Sequence, residues 1–117
     1  MELVAFLGKD RENWGQVTAL INRQDWEKII LVKNKEAGDF SSSKKCEIIS
    51  INSEKPLLEL KAEIMEKLRG RLGELEAALS IASGNGKEHM ALISALLSIP
   101  TGIRLVVFTK EGVEFIN

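Results

Sequence analysis

The stretch from Leu79 to Leu97, LSIASGNGKEHMALISALL, predicts a short apolar strand, a turn that contains two glycines, and a helix. The residues that suit a buried strand before the turn are Ala78, Leu79, Ile81 and Ala82. The residues that recur at helical spacing after it are Met90, Leu92, Ile93, Leu96 and Leu97. Gly84 and Gly86 allow positive φ and a close approach of the backbone to a ligand. We therefore interpret the rest of the chain as a scaffold that presents this turn.

The chemistry of the turn favours an anion. Amide N–H groups at the start of a helix lack partners, and the helix dipole and the ammonium group of Lys87 add positive potential, which suits a phosphate. The predicted ligand-binding residues of this turn are Ser83, Gly84, Asn85, Gly86, Lys87 and His89. Two alternatives stay open, because the glycines can serve the turn alone and His89 can be a surface or cap residue. A full Walker A motif, G-x-x-x-x-G-K-[ST], is absent.

A second turn of the same kind follows the first predicted strand. The continuous apolar run from Leu3 to Leu7 suits a central strand that is buried on both faces. The candidate ligand-binding residues that follow it are Gly8, Lys9, Asp10 and Arg11. Asp10 or Asn13 is expected to cap the next helix, which begins near Trp14. As an alternative, Lys9 and Arg11 are ordinary solvated charges.

The remaining elements are predicted from apolar runs and breakers. Further strands are expected at 28–33, 46–51, 103–108 and 113–116. A long amphipathic helix is expected to start at Pro56, to carry apolar residues as far as Leu72, and to be ended by Gly70 and Gly73. The polar segment 34–45, NKEAGDFSSSKK, is expected to be a mobile loop, either a lid over a ligand or a surface connection. For residues up to Ala82, a continued helix is the main alternative to the fourth strand.

Strands that alternate with helices predict an α/β, Rossmann-like three-layer sandwich with a mainly parallel sheet. Right-handed crossovers predict the strand order 3-2-1-4-5-6, with an antiparallel C-terminal hairpin strand. In this order strands one and four flank the topological switch, where open α/β sheets bind ligands. The two turns, 8–11 and 83–87, are therefore expected to meet at one crevice.

Size and composition set the limits of this prediction. The chain of 117 residues is expected to be a single domain, 1–117, and its 44% hydrophobic and 28% charged residues are typical of a globular protein. A net charge of −1 argues against duplex nucleic acid as a partner. The lone Cys46, with no signal peptide and no long apolar run, predicts a cytoplasmic protein outside the membrane. We expect no metal site and no cofactor, because no ligand spacing links the single histidine to the cysteine.

The segment IASGNGK, residues 81–87, resembles the [DN]-x-[ST]-x-x-x-[RK] motif of CARF domains, the CRISPR-associated Rossmann-like sensors of cyclic oligoadenylate. Ser83 and Lys87 match the hydroxyl and basic positions, and Gly84 matches a glycine common in the family. Ile81 stands where the motif has an acidic or amide residue. The resemblance covers the whole chain in topology, but at motif level only this segment.

The resemblance implies a homodimer in which two ligand turns form one pocket for cyclic tetra- or hexa-adenylate. The apolar Met90, Leu92 and Ile93 near the turn favour such a dimer. Because no effector module follows the predicted domain, the resemblance implies a stand-alone sensor in antiviral defence, a ligand sink, or a metal-independent ring nuclease. In a ring nuclease the RNA 2′-hydroxyl attacks its own phosphate, and Lys87 and Ser83 are the candidate catalytic residues.

A different class of function stays open beside this one. The chain can be a non-catalytic α/β interaction or adaptor subunit whose glycine turn is only structural. A conventional NAD-binding domain is disfavoured, because the turn after the first strand, LGKDREN, lacks G-x-G-x-x-G.

Overall fold

Six strands form one sheet in the computed structural model, which describes residues 1–73 and 75–117. The strands are β1 (Glu2–Leu7), β2 (Lys28–Asn34), β3 (Glu47–Ile51), β4 (Glu76–Ser80), β5 (Gly102–Thr109) and β6 (Gly112–Phe115). Their order is β3-β2-β1-β4-β5-β6, with β1 to β5 parallel and β6 antiparallel to β5. The predicted α/β class and strand order are confirmed.

Helices cover both faces of the sheet. They are α1 (Trp14–Arg23), preceded by a 3-10 turn (Arg11–Asn13), α2 (Leu57–Leu68) and α3 (Gly86–Ser98). Side chains alternate along β1, so that Leu3, Ala5 and Leu7 pack in the core on the α1 side. Val4 and Phe6 pack in the other core, which contains residues of α2 and α3. Burial of each large apolar side chain contributes about 1.5–3 kcal/mol, which explains why an unbroken apolar run occupies the centre.

The fourth strand ends earlier than the sequence suggested. Its ladder with β1 ends at the pair Ala5 and Ser80, so Ile81 and Ala82 lie outside the strand. The chain leaves the sheet here, and the Ser83 hydroxyl accepts a hydrogen bond from the Gly8 amide. The alternative of a helix continuing to Ala82 is wrong, because β4 pairs with both β1 and β5.

The segment between β2 and β3 lies against the α1 side of the sheet. Ala37 is buried, and its carbonyl accepts a hydrogen bond of 2.9 Å from Nη1 of Arg11. The ring of Phe40 meets Trp14 edge-on at a centroid distance of 5.7 Å. These contacts favour the surface connection over the lid, since they attach the segment to α1.

The long helix α2 ends at Leu68, close to the predicted end. Gly70 has φ of +78°, a conformation that terminates helices and that glycine adopts without strain. Within residues 1–73 and 75–117, no helix is both long and apolar enough to cross a bilayer.

Candidate functional site

The carboxyl ends of β1 and β4 border a cleft of about 410 Å³. Its lining residues are Lys9, Asp10, Asn34, Ser53, Glu54, Gly84, Asn85, Lys87 and Glu88. Five of these were predicted from the sequence, namely Lys9, Asp10, Gly84, Asn85 and Lys87. The two predicted turns therefore meet at one crevice, as the strand order requires.

Asp10 joins the two turns. Its Oδ1 accepts hydrogen bonds from the Ser83 hydroxyl at 2.7 Å and from the Gly84 amide at 2.9 Å. Its Oδ2 accepts from Nδ2 of Asn13 at 2.8 Å. Neither Asp10 nor Asn13 makes a side-chain cap, so the expected capping is wrong. The carboxylate instead bonds across the crevice to a distant segment, with a sequence separation of 73 to Ser83.

Ser83 is fully buried and positions the turn. Its hydroxyl accepts a hydrogen bond from the Gly8 amide at 2.8 Å while it donates to Asp10. Its carbonyl oxygen lies 2.7 Å from Nε2 of His89, whose ring meets Phe6 edge-on. Ser83 and His89 thus hold the turn in place through hydrogen bonds inside the protein, and neither of them lines the cleft.

Two glycines are required by close backbone packing. A Cβ at Gly8 would lie 2.6 Å from the Cα of Gly84. Gly84 has φ of +106°, and a Cβ there would lie 2.7 Å from the Phe6 ring. Gly86 is expected to have positive φ or to contact a bound anion. The expectation of positive φ is wrong, because Gly86 is already the first residue of α3. Apart from its chain neighbours and its own helix backbone, no atom of the described residues lies within 4 Å of the position its Cβ would take.

The start of α3 is held by a reciprocal capping box. The Asn85 side chain accepts from the Glu88 amide at 2.8 Å, and the Glu88 carboxylate accepts from the Asn85 amide at 3.0 Å. In the described part of the chain, the amides of Gly86 and Lys87 make no hydrogen bond. The exposed Lys87 makes no ion pair with the described residues. Lys87 lines the cleft and therefore offers its amide and its ammonium group there, and the exposed Gly86 with its amide precedes it at the start of α3.

Glu88 connects three segments of the chain. Its side chain is only 1% exposed, and Oε2 accepts hydrogen bonds from Nδ2 of Asn34 at 3.1 Å and from the Ser53 hydroxyl. These partners belong to the end of β2 and to the turn between β3 and α2. As an acidic residue in the first turn, Glu88 also complements the dipole of α3.

Sequence reasoning missed four of the lining residues, Asn34, Ser53, Glu54 and Glu88. The first three lie at or just beyond the carboxyl end of a parallel strand, the position that also selected the two predicted turns. The pattern Asn85-x-x-Glu88 is also a readable capping signal. A systematic search of all strand ends would have found the first three residues.

The two cationic residues of the first turn have different surroundings. Arg11 does not line the cleft, and its guanidinium lies 4.2 Å from the centroid of the Trp14 ring. Lys9 lines the cleft, and its ammonium is 3.3 Å from a carboxylate oxygen of Glu36. Among the described residues, Lys87 is therefore the cleft cation that makes no ion pair.

No family model, curated protein or solved structure matches this chain. The fold and the cleft at its topological switch define a Rossmann-like α/β domain.

We expect the contribution of Asp10 to stability to depend on pH. Burial raises the pKa of this carboxyl, but hydrogen bonds from Asn13, Ser83 and Gly84 outweigh burial and lower the pKa below its ordinary value of 3.8. A lowered pKa in the folded state stabilises the protein above pH 3.8 and loses its effect as the pH falls through the folded value. Urea unfolding of the parent and Asp10→Asn should show a difference at pH 7 that shrinks below about pH 4. A difference that is the same at both pH values would contradict this role.

Proposed function

We propose that this chain is a nucleotide-binding sensor domain that resembles CARF proteins. It binds a cyclic oligoadenylate, or a related phosphate-containing ligand, at the crevice between β1 and β4 of a homodimer. The observation that carries the proposal is Lys87, which lines the cleft of about 410 Å³ and whose amide and ammonium groups, like the amide of the preceding Gly86, have no partner among the described residues.

The electrostatics of the rim support a phosphate. Amides at a helix start carry partial positive charge, and α3 is long enough, at 13 residues, to have a full dipole. Hydrogen bonds between charged groups and their partners contribute about 1.5–3 kcal/mol each, against about 0.5–1.5 kcal/mol for neutral ones. One phosphate held by Lys87 and two amides is therefore consistent with micromolar binding, which corresponds to about −8 kcal/mol.

The homodimer part of the proposal rests on exposed apolar side chains. Met90 is 59% exposed and Leu97 is 61% exposed on α3, and Ile116 after β6 is 61% exposed. A small groove of about 150 Å³ is lined by Leu79, Ile81, Ala82, Leu105, Val106, Val107 and Ile116. Leu92 cannot contribute to this surface, because it is fully buried in the core.

Light scattering at micromolar concentration should give about twice the chain mass of 13.0 kDa. Met90→Glu should shift the protein toward monomer, because a carboxylate at the centre of an apolar contact is desolvated without a partner. Leu58→Glu is the matched control, since Leu58 is an exposed leucine on α2, 77% exposed. A monomeric parent that ligand does not change would exclude the symmetric pocket.

Ligand binding is tested with a panel of nucleotides. Thermal unfolding is measured with cyclic tetra-adenylate, cyclic hexa-adenylate, linear nucleotides and dinucleotides. A ligand present at about 100 times its Kd stabilises the folded state by about 2.7 kcal/mol, so a genuine ligand should raise the Tm by several degrees. Chromatography of the ligand after incubation shows whether the ligand has been cleaved, which distinguishes a ring nuclease from a sensor that only binds. No shift with any member of the panel would exclude the sensor function.

A second function, a non-catalytic interaction or adaptor domain, is favoured by one specific observation. Gly8 and Gly84 are explained by their mutual packing alone, since a Cβ placed on Gly8 would lie 2.6 Å from the Cα of Gly84. Ser83 likewise has all its hydrogen bonds inside the protein. An adaptor would bind a protein partner through the exposed apolar surface and show no shift with the nucleotide panel.

A further inference from the structure

Lys9 lines the cleft, but its ammonium group already has an anionic neighbour inside the protein. Nζ of Lys9 lies 3.3 Å from Oε2 of Glu36, a residue of the segment between β2 and β3 that does not line the cleft. Lys87, the other lysine of the lining, makes no ion pair among the described residues. The charge of one cleft cation is therefore balanced by the protein, and the charge of the other is not.

The ion pair between Lys9 and Glu36 is weak enough to be exchanged. The side chains are 56% and 50% exposed, so water screens the attraction between them. An exposed pair of this kind shifts an equilibrium by about fivefold at most. A hydrogen bond between a charged group and its partner shifts it by about tenfold to hundredfold. A phosphate that reaches Lys9 therefore gains more than the loss of the pair costs.

The Glu36 carboxylate can leave Lys9 without a change in the backbone. The Glu36 amide donates a hydrogen bond to Oδ1 of Asn34 at 3.0 Å, and the Ala37 amide donates to the Asn34 carbonyl at 2.9 Å. These bonds hold the main chain at Glu36 and at the residue after it. Among the described residues, the Glu36 carboxylate makes no hydrogen bond or ion pair except that with Lys9. Rotation of one exposed side chain is therefore enough to free Lys9.

The hydrogen-bonded carboxylates of the lining cannot exchange in this way. Asp10 accepts three hydrogen bonds, two of which join the two turns. Glu88 is buried, and it also accepts three hydrogen bonds. Movement of either carboxylate would leave several donors without a partner, which is costly inside a protein. Glu36 is thus an anion that an incoming phosphate can displace at low cost.

We propose that Glu36 is an internal counter-ion of Lys9, which a phosphate group of the ligand displaces on binding. Before binding, the carboxylate balances the charge of Lys9. In the complex the Glu36 side chain turns to solvent, and the ammonium groups of Lys9 and Lys87 both bind phosphate oxygens. This inference rests on the proposed function, because it takes a phosphate-containing ligand to be bound in the cleft. It adds a second cation to the site and a residue outside the lining that lowers the affinity.

A double-mutant cycle tests this exchange by calorimetric titration with cyclic tetra-adenylate. The proteins are the parent, Glu36→Gln, Lys9→Ala and the variant that carries both substitutions. Glu66→Gln is the control of equal charge change, since Glu66 is exposed on α2 and does not line the cleft. Urea unfolding of each protein shows that it is folded.

Removing the counter-ion should strengthen binding only where Lys9 is present. Glu36→Gln should bind up to about fivefold more tightly than the parent, because Lys9 has no ion pair to give up. Lys9→Ala should weaken binding at least about twofold in the parent, and about tenfold or more in Glu36→Gln. In proteins without Lys9, Glu36→Gln should therefore have little effect. Glu66→Gln should bind like the parent.

The outcomes separate this inference from the function on which it rests. An equal gain from Glu36→Gln with and without Lys9 would overturn the exchange, because it would show only an effect of net charge. Unchanged or weaker binding by Glu36→Gln would also overturn it, and either result would leave phosphate binding at Lys87 standing. Inorganic phosphate, titrated by NMR on the same proteins, is the second probe. If it alone binds, with the coupling between Lys9 and Glu36, the exchange is supported and the proposed nucleotide is overturned. Binding of neither probe by the folded parent would overturn both.

Discussion

Replacing Lys87 by alanine should lower the affinity for cyclic tetra-adenylate about tenfold to hundredfold in each subunit, with little effect on stability. The lysine is exposed and makes no ion pair among the described residues, so its removal opens no cavity and leaves no buried charge. The free energy of unfolding should therefore change by only about 0.5 kcal/mol. In a two-fold pocket both copies of the lysine are lost together, so the measured loss can exceed that of one contact. Calorimetric titration measures the affinity and urea unfolding the stability.

The control for net charge is Lys45→Ala. Lys45 is exposed and precedes β3, so it lies toward the amino ends of the parallel strands, away from the cleft. It should leave the affinity unchanged. Equal affinity of the parent and both variants would show that Lys87 is an ordinary solvated lysine.

Replacing Gly84 by alanine should cost about 2–5 kcal/mol of stability, a large part of the roughly 5–15 kcal/mol typical of a folded domain. Gly84 has φ of +106°, where any side chain is strained. The added Cβ would lie 2.7 Å from Cδ1 of Phe6 and 2.9 Å from Nε2 of His89. Phe6 is fully buried in β1 and cannot move without disturbing the core. Urea unfolding monitored by circular dichroism measures the loss.

Gly86→Ala, two residues after Gly84 in the chain, is the matched control. Apart from its chain neighbours and its own helix backbone, no described atom lies within 4 Å of the position of its Cβ, and its φ is not positive. Because alanine restricts the unfolded chain and suits a helix, this variant should be as stable as the parent or more stable, by up to about 1 kcal/mol. A Gly84→Ala protein as stable as Gly86→Ala would contradict the strain assigned to this turn.

The strands and their order could be predicted from the sequence because a buried strand has a continuous run of apolar residues. The run from Leu3 to Leu7 is buried along its whole length, as a central parallel strand must be. Right-handed crossovers then leave few orders for the remaining strands, and the observed sheet has the expected one. The crevice between β1 and β4 follows from the order alone.

Individual side-chain partners could not be read in the same way. Asp10 lies just before a helix and suits a cap locally, yet its carboxylate bonds to Ser83 and Gly84 across the crevice. No local rule specifies a partner at a sequence separation of 73. Likewise, the local sequence does not show which of Gly84 and Gly86 has positive φ. Gly84 has it where its backbone packs against Phe6, whereas Gly86 is already the first residue of α3.

The hydrogen bond from the Gly8 amide to the Ser83 hydroxyl spans 75 residues of sequence, and the bond from Asn34 to Glu88 spans 54. Synthesis runs from the amino end, so the chain exposes β1, β2 and β3 long before their partners at the cleft exist. Non-local contacts of this kind form late in folding. The chain loses conformational entropy when the long loop closes, and this loss occurs before the contact can stabilise it. A ribosome-bound chain that stops before Glu88 therefore lacks the carboxylate that connects Asn34 and Ser53 to the start of α3, and its cleft is incomplete.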